Sequence, residues 1–168
     1  MSHWLRWMID RDLSQVMGIE SLCFGPDADT RREMRALIDM PGVYSIVAEA
    51  ENESIDGFVI YERRKTRIVI RNLAVAPMRQ RRGIGTLLID KLRGKLSFQR
   101  KVLTALVRES NLPAQLFFRA MGLVATDIIP HPWARFGGGL EDGYLFELRC
   151  ECEKALADSQ LRSKEASA

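Results

Sequence analysis

The sequence predicts a mixed α/β (α+β) fold, with a central sheet of about seven strands and helices on both of its faces. Residues 68–75 form an apolar, β-rich run that a basic, glycine-containing turn connects to leucines at helical spacing, which indicates a strand, a loop and a helix. Two further strand-like segments, 43–48 and 55–62, are separated by a polar stretch that is typical of a hairpin. Because a hairpin pairs strands antiparallel and a helical crossover pairs them parallel, the sheet is expected to be mixed.

The composition is that of one soluble globular domain. The 168 residues are 46% hydrophobic and 28% charged, which suits a single domain with a core. We assign this domain to residues 1–152 and expect 153–168 to form a charged tail that frays. With 25 basic and 22 acidic residues the net charge is +3, so neither a membrane nor nucleic acid is an expected partner. The basic cluster at 63–67 is interpreted as a solvated turn, with a nucleic-acid patch as the alternative.

The cysteines indicate neither a metal site nor a disulfide framework. Cys23, Cys150 and Cys152 lack the spacing of a zinc site or a redox pair, and their number is odd. We therefore expect reduced, partly buried thiols in a cytoplasmic protein without a bound metal. The first residues contain no apolar run of signal-peptide length, and no segment approaches the roughly 20 apolar residues of a membrane span.

The first forty residues are predicted to contain a strand at 4–8, a helix at 11–23 and a helix at 31–39. Asp10 is expected to cap the first helix, and Asp29 or Thr30 to cap the second. Glu33 lies one turn after the second cap, as in a capping box. The first helix has an imperfect apolar stripe, formed by Leu13, Val16, Met17, Glu20 and Leu22.

The remainder of the chain is predicted to alternate strands with two further helices. Strands are expected at 43–48, 55–62, 68–75, 101–108, 123–129 and 144–152. The helices follow the glycine-containing turn and Asn111. A helical crossover between residues 76 and 101 makes the flanking strands parallel, with a right-handed connection. Gly57 marks a bulge, a close approach of another group, or no more than a weak point in its strand.

The turn at 80–85, Gln-Arg-Arg-Gly-Ile-Gly, is suited to binding an anion. The first N–H groups of a helix have no partner within the helix and lie at the positive end of its dipole, where a phosphate binds well. The two glycines leave the backbone accessible to such a group. Three arginines add guanidinium donors around the same turn: Arg79, Arg81 and Arg82. The alternative is a flexible turn whose arginines only face solvent.

This turn, preceded by the N-L-A-V-A-P of residues 72–77, resembles the acetyl-CoA signature of the GNAT superfamily of N-acetyltransferases, Q/R-x-x-G-x-G/A. Other glycine-rich nucleotide motifs do not fit. A P-loop requires Gly-Lys-Ser/Thr, whereas Gly85 is followed by Thr86 and Leu87, and a dinucleotide fingerprint requires a third glycine near the start of the chain. The resemblance implies the GNAT acyltransferase fold and acetyl-CoA as cosubstrate.

A second block, residues 108–123, is similar to the V-R-x-S-N-x-x-A-x-x-L-Y-x-x-x-G-F of this family. The ribosomal-protein alanine N-acetyltransferases are the branch with the most similar pattern. The resemblance implies that Asn111 contacts the coenzyme, and a role as the N-cap of the following helix is compatible with that contact. Gly122 fits the C-terminal end of the same helix.

In the family, the fourth and fifth strands diverge and the pantetheine arm lies in the gap. The resemblance implies that the backbone of Leu73 and Val75 binds the pantetheine amides, which requires a bulge near 72–75. The Val75 N–H would then stabilise the developing oxyanion. The complete set of implied coenzyme contacts is Leu73, Ala74, Val75, Gln80, Arg81, Arg82, Gly83, Ile84, Gly85, Thr86, Asn111 and Phe118.

The two proton-transfer residues of the alanine N-acetyltransferase branch are absent. Where that branch has a glutamate base and a tyrosine acid, this sequence has Leu106 and Phe118. Possible substitutes are Glu109, Tyr44, Tyr61, His131 and Tyr144, of which Tyr144 and His131 are the first choices. The resemblance also implies that the loop at 130–143 covers the acceptor, with contacts from His131, Trp133, Arg135 and Phe136.

Two functions follow from these residues. The first is transfer of an acetyl group to a primary amine, of a peptide, a protein or a small molecule, by direct attack and without a covalent enzyme intermediate. The alternative is a catalytically impaired regulatory module that binds acetyl-CoA, motivated by Leu106 and Phe118. A third, RNA association through the basic cluster at 63–67, would require binding that depends on salt. The sequence is compatible with a monomer or a homodimer.

Overall fold

In the computed structural model, which describes residues 2–133 and 139–150, seven strands form one sheet. The strands are β1 (His3–Trp7), β2 (Val43–Ala50), β3 (Ile55–Arg63), β4 (Arg67–Val75), β5 (Val102–Arg108), β6 (Val124–Ile129) and β7 (Gly143–Arg149). The helices are α1 (Leu13–Phe24), α2 (Arg31–Ile38), α3 (Ile84–Arg93) and α4 (Leu112–Ala120). The predicted mixed α/β fold with about seven strands is confirmed.

The strands lie in the order β1-β2-β3-β4-β5-β7-β6. Every neighbouring pair is antiparallel except β4 and β5, which are parallel because α3 crosses over between them. The two faces of the sheet carry separate cores. We name the two faces of the sheet the α1 face, against which α1 and α2 pack, and the α3 face, against which α3 and α4 pack.

A bulge in β4 changes which side chains point to each face. Ile60 of β3 pairs with Asn72, but the next residue of β3 pairs with Ile70, so Arg71 is the extra residue. Before the bulge, Ile70 packs on the α3 face; after it, Ala74 packs on the α1 face. The bulge therefore lies at the edge of segment 72–75, near which a bulge was predicted, and it turns the Asn72 side chain toward α1.

A second bulge lies beside Gly57. Asp56 is the extra residue of β3 opposite β2. A Cβ atom at Gly57 would lie 3.0 Å from Ile84 Cγ2 and 3.1 Å from the Ala74 carbonyl oxygen. Both the bulge and the close approach predicted for this glycine are confirmed, and they allow the start of α3 to pack tightly on the sheet.

The predicted cap of α2 is correct and that of α1 is wrong. Thr30 and Glu33 form a capping box, in which the Glu33 N–H donates to Thr30 Oγ1 at 3.3 Å and the Thr30 N–H donates to Glu33 Oε2 at 2.8 Å. Residues 10–12 form a one-turn 3-10 helix, so α1 begins two residues later than predicted. Asp12, not Asp10, accepts the hydrogen bond from the Ile9 N–H, at 2.9 Å.

Two other expectations from the N-terminal half and the cysteines need correction. Leu22 was expected on the apolar stripe of α1 but is 72% exposed, and Ile19 is buried instead. Cys23 is a half-buried free thiol, as expected, whereas Cys150 is in a disulfide rather than reduced. The tail at 153–168 lies outside the described residues. Within the described part of the chain, no helix has the length and apolar character needed to cross a bilayer.

Candidate functional site

The site is built around a gap between β4 and β5. The parallel pairing of these strands runs from Arg67 with Val102 to Ile70 with Ala105 and goes no further. Beyond these pairs β4 continues to Val75 while it remains paired with β3, and β5 continues while it remains paired with β7. The two central strands therefore diverge from the bulge onward and leave an unpaired edge on each side.

The edge of β4 offers backbone groups to the gap. The Ala76 N–H donates to the Asp56 carbonyl at 2.8 Å, which marks a hydrogen-bonded pair between β3 and β4. In an antiparallel ladder alternate residues bond to the same neighbour, so Leu73 and Val75 direct their N–H and C=O groups away from β3. The Val75 carbonyl already accepts from Gln80 Nε2 at 3.1 Å and from Cys23 Sγ at 3.3 Å. The N–H groups of Leu73 and Val75 remain directed into the gap.

The basic turn ends at the start of α3, beside this edge. Its backbone passes through positive φ at Arg81 (62°) and at Gly83 (83°). The first hydrogen bond along the helix runs from the Leu87 N–H to the Gly83 carbonyl, at 3.0 Å. The backbone N–H groups of 81–86 have no acceptor within the described residues. These donors, together with the helix dipole, form a site suited to an anion.

The two glycines of this turn have different structural roles. A Cβ atom at Gly83 would have no heavy atom within 4 Å, so the space beside its backbone is open to a ligand. A Cβ atom at Gly85 would lie 3.0 Å from the ring of Phe117 in α4. The missing Cβ atom of Gly85 therefore allows α4 to pack against α3, and contact between the Gly85 backbone and a diphosphate stays a prediction.

The arginines of the turn also divide into two groups. Arg79 Nε lies 3.3 Å from Asp56 Oδ2, an oxygen that His3 Nε2 contacts at 2.9 Å. Arg79 therefore contacts the bulge of β3, and its contact with an anion stays a prediction. Arg81 and Arg82 are exposed beside the free N–H groups and remain candidates for binding a phosphate.

The side chains of three other residues that were predicted to contact the coenzyme already have structural roles in the fold. Asn111 Oδ1 accepts a hydrogen bond from the Ala114 N–H at 3.1 Å, which confirms the alternative role as the N-cap of α4. Phe118 is 6% exposed, and its ring lies 6.1 Å from that of Phe146, between ring centroids. Ile84 is 1% exposed, so only its backbone can contact a ligand. The coenzyme contacts of Asn111 and Phe118 stay predictions.

At the end of β5, the side chains of Leu106 and Arg108 lie on the α1 face, next to the α1–α2 connection and the loop before β7. Leu106, where the related branch has its base, is 37% exposed and lies close to Gly143 and Trp133. Arg108 stacks on the Trp133 ring at 4.4 Å and pairs with Glu141 at 3.3 Å, and also with Asp27, which follows α1, at 3.7 Å. Arg108 therefore contacts both the segment between α1 and α2 and the loop before β7. Arg135 and Phe136 lie outside the described residues.

Of the two first-choice proton-transfer substitutes, Tyr144 is directed away from Leu106. Leu145 is the partner of Leu106 on β7, so the adjacent Tyr144 points to the opposite, α3 face. Its hydroxyl lies 3.5 Å from Glu109 Oε1, and that negative charge raises the pKa of Tyr144. His131 is half exposed, with Nδ1 3.4 Å from Asp142. The catalytic roles of Tyr144 and His131 stay predictions.

Tyr44 and Tyr61 lie on the hairpin β2–β3, where their rings stack with centroids 5.7 Å apart. Tyr61 is 1% exposed, and burial raises its pKa to about 12. It packs in the core of the α3 face, which separates its hydroxyl from Leu106 on the α1 face. Tyr61 therefore does not reach Leu106, whereas a role for Tyr44 stays a prediction.

One buried carboxyl group of the site was not predicted. Glu20 of α1 is 2% exposed and accepts hydrogen bonds from Asn72 Nδ2 at 2.9 Å and from the Asp29 N–H at 3.2 Å. Burial raises the pKa of Glu20, and both hydrogen bonds oppose that effect. The sequence did hold a signal, because Glu20 interrupts an apolar helical stripe.

The sequence profile of the Acetyltransferase (GNAT) family matches residues 13–123, a span that includes α1, the β4–α3 turn and α4. The chain belongs to the GNAT acetyltransferase family. The gap and the basic turn described above are both inside the matched span. Comparison with curated protein sequences gave no significant match.

Solved structures with the same fold include N-acetyltransferases of several kinds. The ribosomal-protein-S18-alanine N-acetyltransferase of Escherichia coli is 19% identical, with a TM-score of 0.74 over 88% of this chain and 94% of its own. Ard1 of Thermoplasma volcanium is 19% identical, with a TM-score of 0.75 over 89% and 99%. Arabidopsis thaliana NAA60 in complex with acetyl-CoA is 17% identical, with a TM-score of 0.71 over 88% and 98%. At these identities the similarity establishes the GNAT fold alone.

Proposed function

We propose that the protein transfers an acetyl group from acetyl-CoA to a primary amine, at the N-terminus of a peptide or protein or on a small molecule, by direct attack of the amine. The observation that carries this proposal is the row of N–H groups at 81–86 that have no acceptor among the residues the structure describes, beside the gap between β4 and β5. Family membership supports the acetyl transfer, and a structural neighbour in complex with acetyl-CoA supports the cosubstrate.

The chain offers separate donors for the two parts of the coenzyme. The N–H groups of 81–86 and the exposed guanidinium groups of Arg81 and Arg82 would bind the diphosphate. The N–H groups of Leu73 and Val75 would bind the pantetheine arm along the edge of β4. Hydrogen bonds to charged groups contribute about 1.5–3 kcal/mol each, so a few of them suffice to retain the coenzyme. The bound thioester supplies the activated acetyl group.

The residues at the gap favour an amine of low pKa. A positioned base contributes about 10²–10⁴-fold, and Leu106 cannot act as one. An α-amine with a pKa near 7.7–8.0 is roughly a fifth neutral at physiological pH, whereas a lysine side chain with a pKa near 10.4 is about 0.1% neutral. We therefore propose that N-terminal and similar low-pKa amines are acetylated in preference to lysine side chains.

The proposal is tested with a panel of amines that includes peptides with free N-termini, the same peptides blocked at the N-terminus but containing lysine, and small amines. We expect release of free CoA with the first group and about 10²-fold slower release with the second, from the difference in the neutral fraction. Binding of acetyl-CoA without turnover on any amine would contradict transfer. It would favour the alternative, a regulatory module, for which the leucine at position 106 is the specific observation.

Introducing the missing base is a second test. Because Leu106 is partly exposed on the α1 face beside the gap, Leu106→Glu is expected to raise kcat by about 10²-fold with unchanged affinity for acetyl-CoA. Leu145→Glu is the matched control, since it adds the same carboxylate one strand further from the gap. Equal rates for the two folded variants, measured by CoA release, would contradict a base position at residue 106.

A further inference from the structure

The packing of α1 on the sheet does not explain why a carboxyl group, that of Glu20, is buried at this position. It is 2% exposed, and within the described residues its two oxygens accept hydrogen bonds from Asn72 Nδ2 and the Asp29 N–H, with no cationic side chain paired to it. Burying a carboxyl group without a counter-charge is costly, and a shorter apolar residue would suit the stripe of α1 better. The retained carboxyl group therefore points to a task at the site.

The hydrogen bond between the two side chains fixes the direction of the Asn72 amide. A carboxylate can only accept hydrogen bonds, so Asn72 must turn its NH₂ group toward Glu20. The amide oxygen, Asn72 Oδ1, consequently faces away from Glu20, and no donor to it is seen in the part of the chain that the structure describes. Without this partner, the amide would present either its oxygen or its NH₂ group to the same surroundings.

This amide lies at the mouth of the gap, on the side opposite the basic turn. Ile70 and Ala105 are the last paired residues of β4 and β5, and Asn72 and Leu106 follow them within two residues. The bulge at Arg71 turns Asn72 to the α1 face, which Leu106 also faces, whereas the start of α3 packs on the other face. Asn72 and Leu106 therefore flank the gap where an acceptor would meet a thioester inserted from the α3 face.

We infer that Glu20 is a positioning residue that acts through Asn72, whose Oδ1 accepts a hydrogen bond from an N–H of the acceptor amine and directs the nitrogen lone pair into the gap. The inference rests on the proposed acetyl transfer. In that reaction the nitrogen–carbon bond forms, the carbon–sulfur bond breaks, and the proton lost by the nitrogen ends on the sulfur of CoA. The pair thus orients the nucleophile from the side of the gap opposite Leu106.

Glu20→Gln tests the orientation without removing the hydrogen bonds. Glutamine has one acceptor, which the Asp29 N–H requires, so its NH₂ group must face Asn72. Asn72 satisfies this arrangement only by turning over, which presents a donor to the amine in place of an acceptor. We expect kcat/KM for the amine to fall by about 10²-fold, because misorientation of the nucleophile alone costs about that much in rate. The Kd for acetyl-CoA should be unchanged.

The double variant Glu20→Gln/Asn72→Asp exchanges the amide and the carboxylate. The introduced aspartate accepts from the introduced glutamine with one oxygen and offers the other to the gap, so we expect kcat/KM to recover to within about tenfold of the parent. Gln15→Ala serves as a control on α1, since it removes the hydrogen bond from the Ile55 N–H, 2.9 Å, which involves neither Glu20 nor Asn72. It should lower the melting temperature and leave kcat/KM unchanged.

The outcomes separate this inference from the function on which it rests. A parent protein that acetylates no amine of the panel overturns both. With an active parent, a Glu20→Gln variant within twofold of the parent overturns the inference alone. So does a loss of activity that the double variant fails to restore, or one that is matched by loss of acetyl-CoA binding.

Discussion

Replacing Gly83 by aspartate is expected to weaken the binding of acetyl-CoA by about 10³-fold. The space beside this residue is open, with no heavy atom within 4 Å of a Cβ atom, so the side chain would enter the region that the diphosphate requires. A like charge about 4 Å from a phosphate costs about 4 kcal/mol at the dielectric constant near a protein surface, which corresponds to about that loss of affinity. Calorimetric titration with acetyl-CoA measures it directly.

Gly83→Asn is the matched variant. Asparagine and aspartate both tolerate positive φ, here 83°, better than other residues with a Cβ atom, so the two variants share the backbone strain and differ in charge. We expect the asparagine variant to bind acetyl-CoA much more tightly than the aspartate variant, at similar melting temperatures. Equal affinities of the two variants would place the diphosphate elsewhere. Gly85 is unsuitable for this test, because a side chain there would displace the Phe117 ring.

The parts of the site that the sequence predicted are local. The basic turn, its glycines and the helix after it are contiguous, so a short motif carries both their conformation and their unpaired N–H groups. The parallel pairing of β4 and β5 followed from topology, since a helical crossover connects them. The gap between them was implied only by the resemblance to the GNAT family. The sequence could not show which glycine has open space beside its backbone. Gly83 and Gly85 look alike in the sequence, and only the approach of Phe117 to Gly85 distinguishes them.

The Glu20–Asn72 pair could not be predicted, because it depends on a shift in register. Strict alternation along β4 would place Asn72 on the same face as Ile70, away from α1. The extra residue, Arg71, reverses the alternation, and nothing in the local sequence requires a bulge at that residue. The two partners are 52 positions apart, so their contact follows from the packing of α1 on the sheet.

The misplaced cap of α1 has a similar, nonlocal cause. Asp10 and Asp12 are both acceptable capping residues by type, but α1 has no side-chain cap: Asp12 lies at its N-cap position and is bound by a residue of another element. Arg6 of β1 binds both oxygens of Asp12, through Nη1 at 2.7 Å and Nη2 at 2.9 Å. The same guanidinium binds both oxygens of Glu49 on β2, through Nε and Nη2, each at 2.7 Å. Asp12 is therefore held under β1, whereas Asp10 stays exposed.

Arg6→Met is expected to lower the free energy of unfolding by about 3 kcal/mol at neutral pH. Asp12 and Glu49 are 1% and 6% exposed, and the substitution leaves both carboxylates without their cation. Loss of one partner of a buried ion pair costs about 3–5 kcal/mol, and we expect the lower end because the Arg6 side chain is 24% exposed. Urea denaturation gives the difference. The control is Arg35→Met, which removes only an exposed ion pair with Asp10 and should lower the free energy of unfolding much less than Arg6→Met does.

The effect of pH on this variant tests the cause of the loss. Hydrogen bonds from Arg6 are the largest influence that lowers the pKa of Asp12 and of Glu49 in the folded protein. Because the folded pKa values lie below the unfolded ones, near 4, the stability that the pairs contribute is present above that pH and is lost as the pH falls through the folded values. The difference between parent and Arg6→Met should therefore shrink below about pH 4. A difference that stays constant down to about pH 3 would mean that Arg6 stabilises the fold by packing its apolar stem and not through its charge.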